Sequence, residues 1–190
     1  GLIRMETKQS LREQYKKIRA ALSKEARAAN DSTIARHIIE LSLYKDAKTL
    51  MAYCAIGSEA SIQAVITHAL ACGKTVLLPV TDPVTQTMYA AQLTAAGHLA
   101  RGGYGIYEPK DARPYCGPID LVLVPGLVFG KSGQRIGYGK GYYDKFFGSY
   151  NGAIKAGVAY ACQISEESFG EAHDVRMDYI ITEQGAIACE

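Results

Sequence analysis

An α/β domain built on a mostly parallel central sheet flanked by helices is the fold this sequence predicts. Two observations carry that expectation. Short apolar runs of strand length alternate along the chain with stretches of helical periodicity. The 190 residues are 48% apolar and 21% charged, which suits one core of ordinary size. The same composition excludes global disorder. A formal net charge of +2 is too mild to argue for a nucleic-acid or membrane-surface partner. No apolar run reaches the roughly 18 residues of a spanning helix, and no secretory leader pattern opens the chain. Five cysteines, an odd number with no C-x-x-C pair, argue against a zinc site or disulfide frame. They fit free thiols in a cytoplasmic protein. Gly1–Arg4 precede Met5 and are set aside as an appended remnant, which leaves a single domain over 5–190, expected to act as a monomer.

The elements follow in order. Leu11, Tyr15, Ile18 and Leu22 recur at helical spacing and predict a first helix. Lys8 and Arg12, four apart, share one of its faces. Ser23 is placed to cap a second helix, with Glu25 in its first turn and Ile34, Ile38, Ile39 and Leu41 inward. Residues 49–53 then read as a buried strand. Helical spacing returns over 61–71 through Ile62, Val65, Ile66 and Leu70, and Gly73 ends it. Residues 75–79 and 88–93 predict two further strands. The rest of 80–118 carries Pro83, Pro109, Pro114, Pro118 and four glycines between Gly97 and Gly105, and reads as loop. Residues 119–124 form the clearest buried strand, closed by Pro125 and Gly126. A glycine-rich segment runs to Gly141, a helix begins at Tyr142, and strands are expected over 154–160 and 175–182. In such sheets ligands bind beyond the carboxyl ends of the strands, where the stretch after Val124 stands.

That stretch carries the chemistry. Gly137, Gly139 and Gly141 alternate, so backbone N–H groups can converge on an anion without interference from Cβ atoms. The expected helix start just beyond adds a favourable dipole. Arg135 and Lys140 bring full positive charge, and Asp144 brings an oxygen ligand for a hard cation. A plain glycine turn is the competing reading. The segment is not a Walker A loop, since Gln134 and Gly141 occupy two of its required positions. Nor is it the dinucleotide fingerprint, which needs glycine where Tyr142 stands.

The run from Val124-Pro125-Gly126 through Phe129, Gly133 and Arg135 to Gly137-Tyr138-Gly139-Lys140-Gly141-Tyr142-Tyr143-Asp144 resembles the signature of the 5-formyltetrahydrofolate cyclo-ligase family. Lys8 to Arg12 is similar to the family's N-terminal K-x-x-L-R, and Tyr53 with Glu59 to its tyrosine–glutamate element. Glu108-Pro109, Gln163 and His173-Asp174 match further positions in order. The resemblance implies a single-domain α/β enzyme that uses ATP and Mg²⁺ to turn 5-formyltetrahydrofolate into 5,10-methenyltetrahydrofolate, releasing ADP and phosphate. By position it implies ATP contacts from Lys8, Arg12, Arg135, Gly137, Tyr138, Gly139, Lys140, Gly141, Tyr142 and Tyr143. It implies Mg²⁺ at Asp144 and Asp174, and folate contacts from Glu59, Tyr138, Tyr142 and Gln163. Arg135, Lys140 and Tyr143 are the expected catalytic groups. Two departures stand out: Gly130 where the family often has Asp, and Ala60-Ser61 after Glu59 where it commonly has a β-branched residue and an acid.

Bland readings stand beside these. Lys8 and Arg12 taken alone fit a solvated basic face. Glu59 could serve the N-terminus of the next helix. Asp178 competes with Asp174, and His173 fits a surface role better than a Mg²⁺ ligand. At least one of Tyr142 and Tyr143 is expected to pack, since neighbours on a helix point apart. His37, His68 and His98 read as structural or exposed. The alternative functions are a nucleotide- or folate-binding domain without turnover, and an ATP-dependent enzyme on another small metabolite.

Overall fold

The computed structural model describes residues 2–94, 99–101, 107–167, 169–171 and 174–190, without the side chains of 2–7 and 99–101. His98, His173 and the glycines at 97, 102, 103 and 105 lie outside the described residues.

The helices are α1 (Leu2–Ala20), α2 (Lys24–Glu40), α3 (Ser42–Asp46), α4 (Gln63–Ala71) and α5 (Tyr142–Ser149). The strands of the main sheet are β1 (Thr49–Met51), β2 (Thr75–Asp82), β3 (Thr87–Leu93), β6 (Leu121–Val124), β9 (Ile154–Val158), β11 (Tyr179–Thr182) and β12 (Gly185–Ala188), in the order β12-β11-β9-β6-β1-β2-β3. Neighbours from β11 across to β2 are parallel, and an antiparallel hairpin strand closes each edge. A small sheet of β10 (Ile164–Ser165), β7 (Val128–Gly130) and β8 (Arg135–Ile136) lies beside it, and β4 (Leu99–Arg101) pairs with β5 (Tyr107–Pro109). The fold is therefore the expected α/β domain.

Alternation along the strands builds three layers. Leu50, Val76, Leu78, Leu121, Leu123 and Ile181 point to one face and pack with Ile34 and Ile38 of α2 and Val65 and Ile66 of α4. Met51, Leu77, Val122, Val124 and Ile180 point to the other and pack with Phe146 and Phe147 of α5. Burial of a side chain such as Ile34 or Ile38 contributes about 1.5–3 kcal/mol. Ser23 caps α2 as its position predicts, its Oγ accepting from the Ala26 N–H at 3.0 Å. Gly73, at φ +78°, follows α4 in a conformation that side chains rarely adopt.

Helix α1 is held differently. Its Leu11 and Tyr15 join Leu127, Val128, Ile136 and Phe169 in a small core of their own, beside the minor sheet. Several short elements escaped the sequence pattern. Helix α3 follows α2 after only a one-residue break, so its five residues look like the end of α2. Strands β4 and β5 lie in the span read as loop, and β5 ends on Pro109. The glycine-rich segment contains the hairpin β7–β8. The strand expected from Val175 begins only at Tyr179.

Candidate active site

Topology puts a crevice between β1 and β6. The chain leaves β1 through α4 to β2 on one side, then returns past β3 to β6 on the other. Loops beyond β1 and β6 must therefore diverge, and the gap between them is the usual ligand position of such sheets. A cavity of about 410 Å³ opens there, within the size range of small-molecule sites. Tyr53, Cys54, Ile56 and Glu59 line it from beyond β1, Pro125 from beyond β6, and Thr81 and Met88 from the β2–β3 pair. The segment from Arg135 to Asp144 forms another wall, and Lys8 and Arg12 of α1 complete it together with Glu108 and Asp174.

The glycine segment is shaped by three tethers. Gly139 at φ +93° and Gly141 at φ +70° take backbone conformations that L side chains rarely adopt. Arg12 Nε donates to the Gly137 carbonyl at 3.0 Å. Arg135 Nε donates to the Pro125 carbonyl at 2.7 Å, and its guanidinium lies 4.9 Å from the Tyr143 ring centroid. A Cβ at Gly137 would stand 3.0 Å from Arg135 Nη2, so glycine is what allows the fork this close to the backbone. Helix α5 starts at Tyr142, with Gly141 as an N-cap that makes no side-chain bond. The N-terminal end of a helix favours an anion through its dipole. Among the described residues no carboxylate forms an ion pair with Arg12, Arg135 or Lys140. Burial lowers the Arg135 pKa from its ordinary value, with Tyr143 and Asp144 nearby opposing that shift. A half-buried guanidinium with no carboxylate in ion-pair contact can take an anionic ligand.

Glu59 is only 6% exposed. Its Oε1 accepts from the Ile56 N–H at 2.8 Å and its Oε2 from the Tyr138 hydroxyl at 3.0 Å. Burial raises its pKa, against hydrogen bonds from Ile56 and Tyr138 and the charges of Arg19 and Arg135. It does not serve the next helix, since α4 begins at Gln63 with Ile62 as an N-cap that makes no side-chain bond. Burial and Glu59 together push the Tyr138 hydroxyl up to about 12, so it remains a neutral donor.

The structure thus gathers Lys8, Arg12, Glu59, Arg135, Tyr138, Lys140, Tyr142, Tyr143, Asp144 and Asp174 around one cavity, with Gly137, Gly139 and Gly141. Gln163 is the exception. It is buried, its Nε2 donates to the Gly126 and Leu127 carbonyls at 2.8 and 3.1 Å, and its Oε1 accepts from the Tyr160 N–H. Its amide is spent on fixing the turn after β6, and it is not among the residues lining the cavity. Asp178 is likewise elsewhere, holding the Lys155 N–H at the start of β9. Asp174 faces Lys8 at 3.2 Å, and Asp144 sits exposed in the first turn of α5. Among the described residues no three acidic, histidine or cysteine groups cluster to cage a metal. Two carboxylates at the edge of a phosphate cradle do fit a hard cation that arrives on the phosphates. Arg19 was missed, although it stands seven residues after Arg12 on the same helix face.

A phosphate cradle and a buried acceptor carboxylate at a switch point define a nucleotide-dependent α/β enzyme. Comparison with known proteins gives that class its particulars. Residues 4–183 match the model of the 5-formyltetrahydrofolate cyclo-ligase family, and the chain belongs to that family. It is 31% identical to a probable 5-formyltetrahydrofolate cyclo-ligase of Caenorhabditis elegans, over 94% of this chain and 93% of that one. It is 29% identical to the 5-formyltetrahydrofolate cyclo-ligase of Haemophilus influenzae, over 88% and 93%. The solved 5,10-methenyltetrahydrofolate synthetase of Aquifex aeolicus superposes with a TM-score of 0.84 at 28% identity, covering 95% of this chain and 92% of that one. The activity is that of a 5-formyltetrahydrofolate cyclo-ligase, an ATP-dependent ligase.

Proposed function

We propose that the cavity aligns the terminal phosphoryl group of ATP with the formyl oxygen of 5-formyltetrahydrofolate and closes the ring through a phosphorylated intermediate. The supporting observation is the half-buried fork of Arg135, in no ion pair among the described residues, beside the Gly137–Gly141 run and in the same cavity as Glu59. A formyl amide carbon is a poor electrophile and its oxygen a poor leaving group. Transfer of the phosphoryl group forms the new P–O bond at the formyl oxygen and breaks the bond to ADP. The N10 lone pair then attacks the formyl carbon, N10 gives up its proton, and the C–O bond breaks to release phosphate. No base is needed for the first step, because the attacking oxygen carries no proton.

The residues divide the work. Arg135, Lys140 and the amides at the start of α5 hold the charge that spreads over the transferring group. Arg12 supports the loop from below through Gly137, and Lys8 faces the phosphates. Glu59 accepts hydrogen bonds from the pterin edge, and Tyr138 and Tyr142 flank it. Tyr143 fixes the Arg135 plane. Asp144 and Asp174 would hold Mg²⁺, which neutralises phosphate charge when bound. No helix among the described residues is long and apolar enough to cross a membrane, and all five cysteines are free. The proposal takes the protein to work as a monomer in the cytoplasm.

Isotope transfer tests the intermediate. With ¹⁸O in the formyl group, the label should appear in the released phosphate, and unlabelled phosphate would end the proposal. Appearance of the methenyl chromophore only with protein, ATP, Mg²⁺ and 5-formyltetrahydrofolate together separates turnover from mere binding. Arg12→Ala should raise the KM for ATP about tenfold and that for the folate much less, since a charge-assisted contact is worth roughly 1.5–3 kcal/mol. Equal effects on both substrates in steady-state assays would remove Arg12 from the nucleotide site.

A further inference from the structure

Arg19 is a cation only 4% exposed, and among the described residues no carboxylate pairs with it. Its guanidinium reaches three different segments. Nε donates to Ser58 Oγ at 2.8 Å beyond β1, Nη1 to the Gly126 carbonyl at 3.3 Å beyond β6, and Nη2 to Tyr138 Oη at 2.7 Å beyond β8. The direction of these bonds has a consequence. A guanidinium can only donate, so the Tyr138 oxygen must accept from it. The one phenolic proton of Tyr138 is then free to point only at Glu59 Oε2, 3.0 Å away. Glu59 Oε1 already receives the Ile56 N–H. Both carboxylate oxygens are therefore met by donors from the protein, and their remaining lone pairs are left for the cavity that Glu59 lines.

We infer that Arg19 is a positioning residue for substrate recognition: acting through Tyr138, it holds Glu59 as an ionised, acceptor-only group that selects a substrate edge of N–H donors, as in an aminopyrimidinone ring. A protonated Glu59 would itself donate and would accept a different edge. The inference rests on the reading of Glu59 as a substrate contact.

Charge balance agrees with the geometry. Burial opposes ionisation of Glu59, and the cations that face it are Arg19 from α1 and Arg135 from β8. Its other titratable neighbours are the phenols of Tyr138, Tyr53 and Tyr143, each held neutral by burial. Burial already raises the Glu59 pKa from its ordinary value. Loss of Arg19 removes one of two favourable charges and moves that titration higher still. Substrate recognition is present above the Glu59 pKa and lost below it, so the acid limb must move to higher pH.

The test is the pH profile of kcat/KM for the folate, which reports the free enzyme. Arg19→Met keeps the aliphatic stem and removes the fork. It should shift the acid limb upward by about one pH unit and raise the folate KM roughly tenfold, with the ATP KM within about twofold. Tyr138→Phe cuts the relay while leaving the Arg19 bonds to Ser58 and Gly126, and should shift the limb in the same direction. It covers the case in which Arg19→Met fails to fold. Glu59→Gln should abolish the limb. A limb that persists in Glu59→Gln overturns the reading of Glu59 itself. A limb abolished by Glu59→Gln but unmoved in Tyr138→Phe, or in folded Arg19→Met, overturns the role of Arg19 alone.

Discussion

Arg135→Met should lower kcat by about a thousandfold, and Arg135→Lys should recover only part of that loss. Removing one preorganised donor from a developing charge typically costs 10²–10³ in rate. Arg135 combines such donors with a full charge. Its Nε is committed to the Pro125 carbonyl, so the two terminal nitrogens are held in a fixed plane beside Gly137 and over Tyr143. Lysine restores the charge but concentrates its donors on one nitrogen, and cannot reproduce a planar fork anchored at Pro125 with two arms left for phosphate oxygens. The fork is formed before substrate binds, so the effect belongs in kcat rather than in the ATP KM. Steady-state and single-turnover rates decide this. A variant with near-normal kcat and only a weakened ATP affinity would make Arg135 a ground-state binder.

Phe129→Ala is expected to have the largest effect on stability, about 3–5 kcal/mol, or a fall in Tm of roughly 6–20 °C for a chain of this size. Phe129 is fully buried on β7, opposite Arg135 in the hairpin register. Its ring fills the space left by glycines at 126 and 157: a Cβ at Gly126 would lie 2.8 Å from Phe129 Cζ. The hole left by alanine opens directly beneath the Pro125-Gly126 turn. That turn supplies the carbonyls that fix Arg135, Arg19 and Gln163, so activity should fall along with stability. Phe129→Leu should cost much less, because it leaves a smaller void. Thermal or denaturant unfolding checks both, and an unchanged midpoint for Phe129→Ala would mean the turn rests on something else.

Much of the architecture is legible in the chain because the physics is local. Leu121 to Val124 can only be a strand buried on both faces, and Ser23 announces the start of α2 by its own hydroxyl. Gly139 and Gly141 stand where the backbone takes positive φ, and that need shows in the sequence. What escaped is set by contacts far apart along the chain. The two-residue strands β8 and β10 exist only because β7 lies between them, and no period can be read in two residues. Gln163 looked like a ligand-facing amide by its place in a motif, whereas its partners are carbonyls 36 and 37 residues away. Arg19 was hidden for the opposite reason. A basic residue in a basic helix looks solvated, and only the fold reveals that α1 turns this position inward against three loops.

Helix α1 packs Leu11 and Tyr15 against four buried side chains of a satellite core rather than against either face of the large sheet. Its undocking can therefore be a local opening with a free-energy cost of its own, below that of melting the whole domain. With Lys8 and Arg12 at the nucleotide as proposed, a polyphosphate in the cleft should tie the helix down, and the amino end is expected to be more protease-resistant with ATP bound than without it.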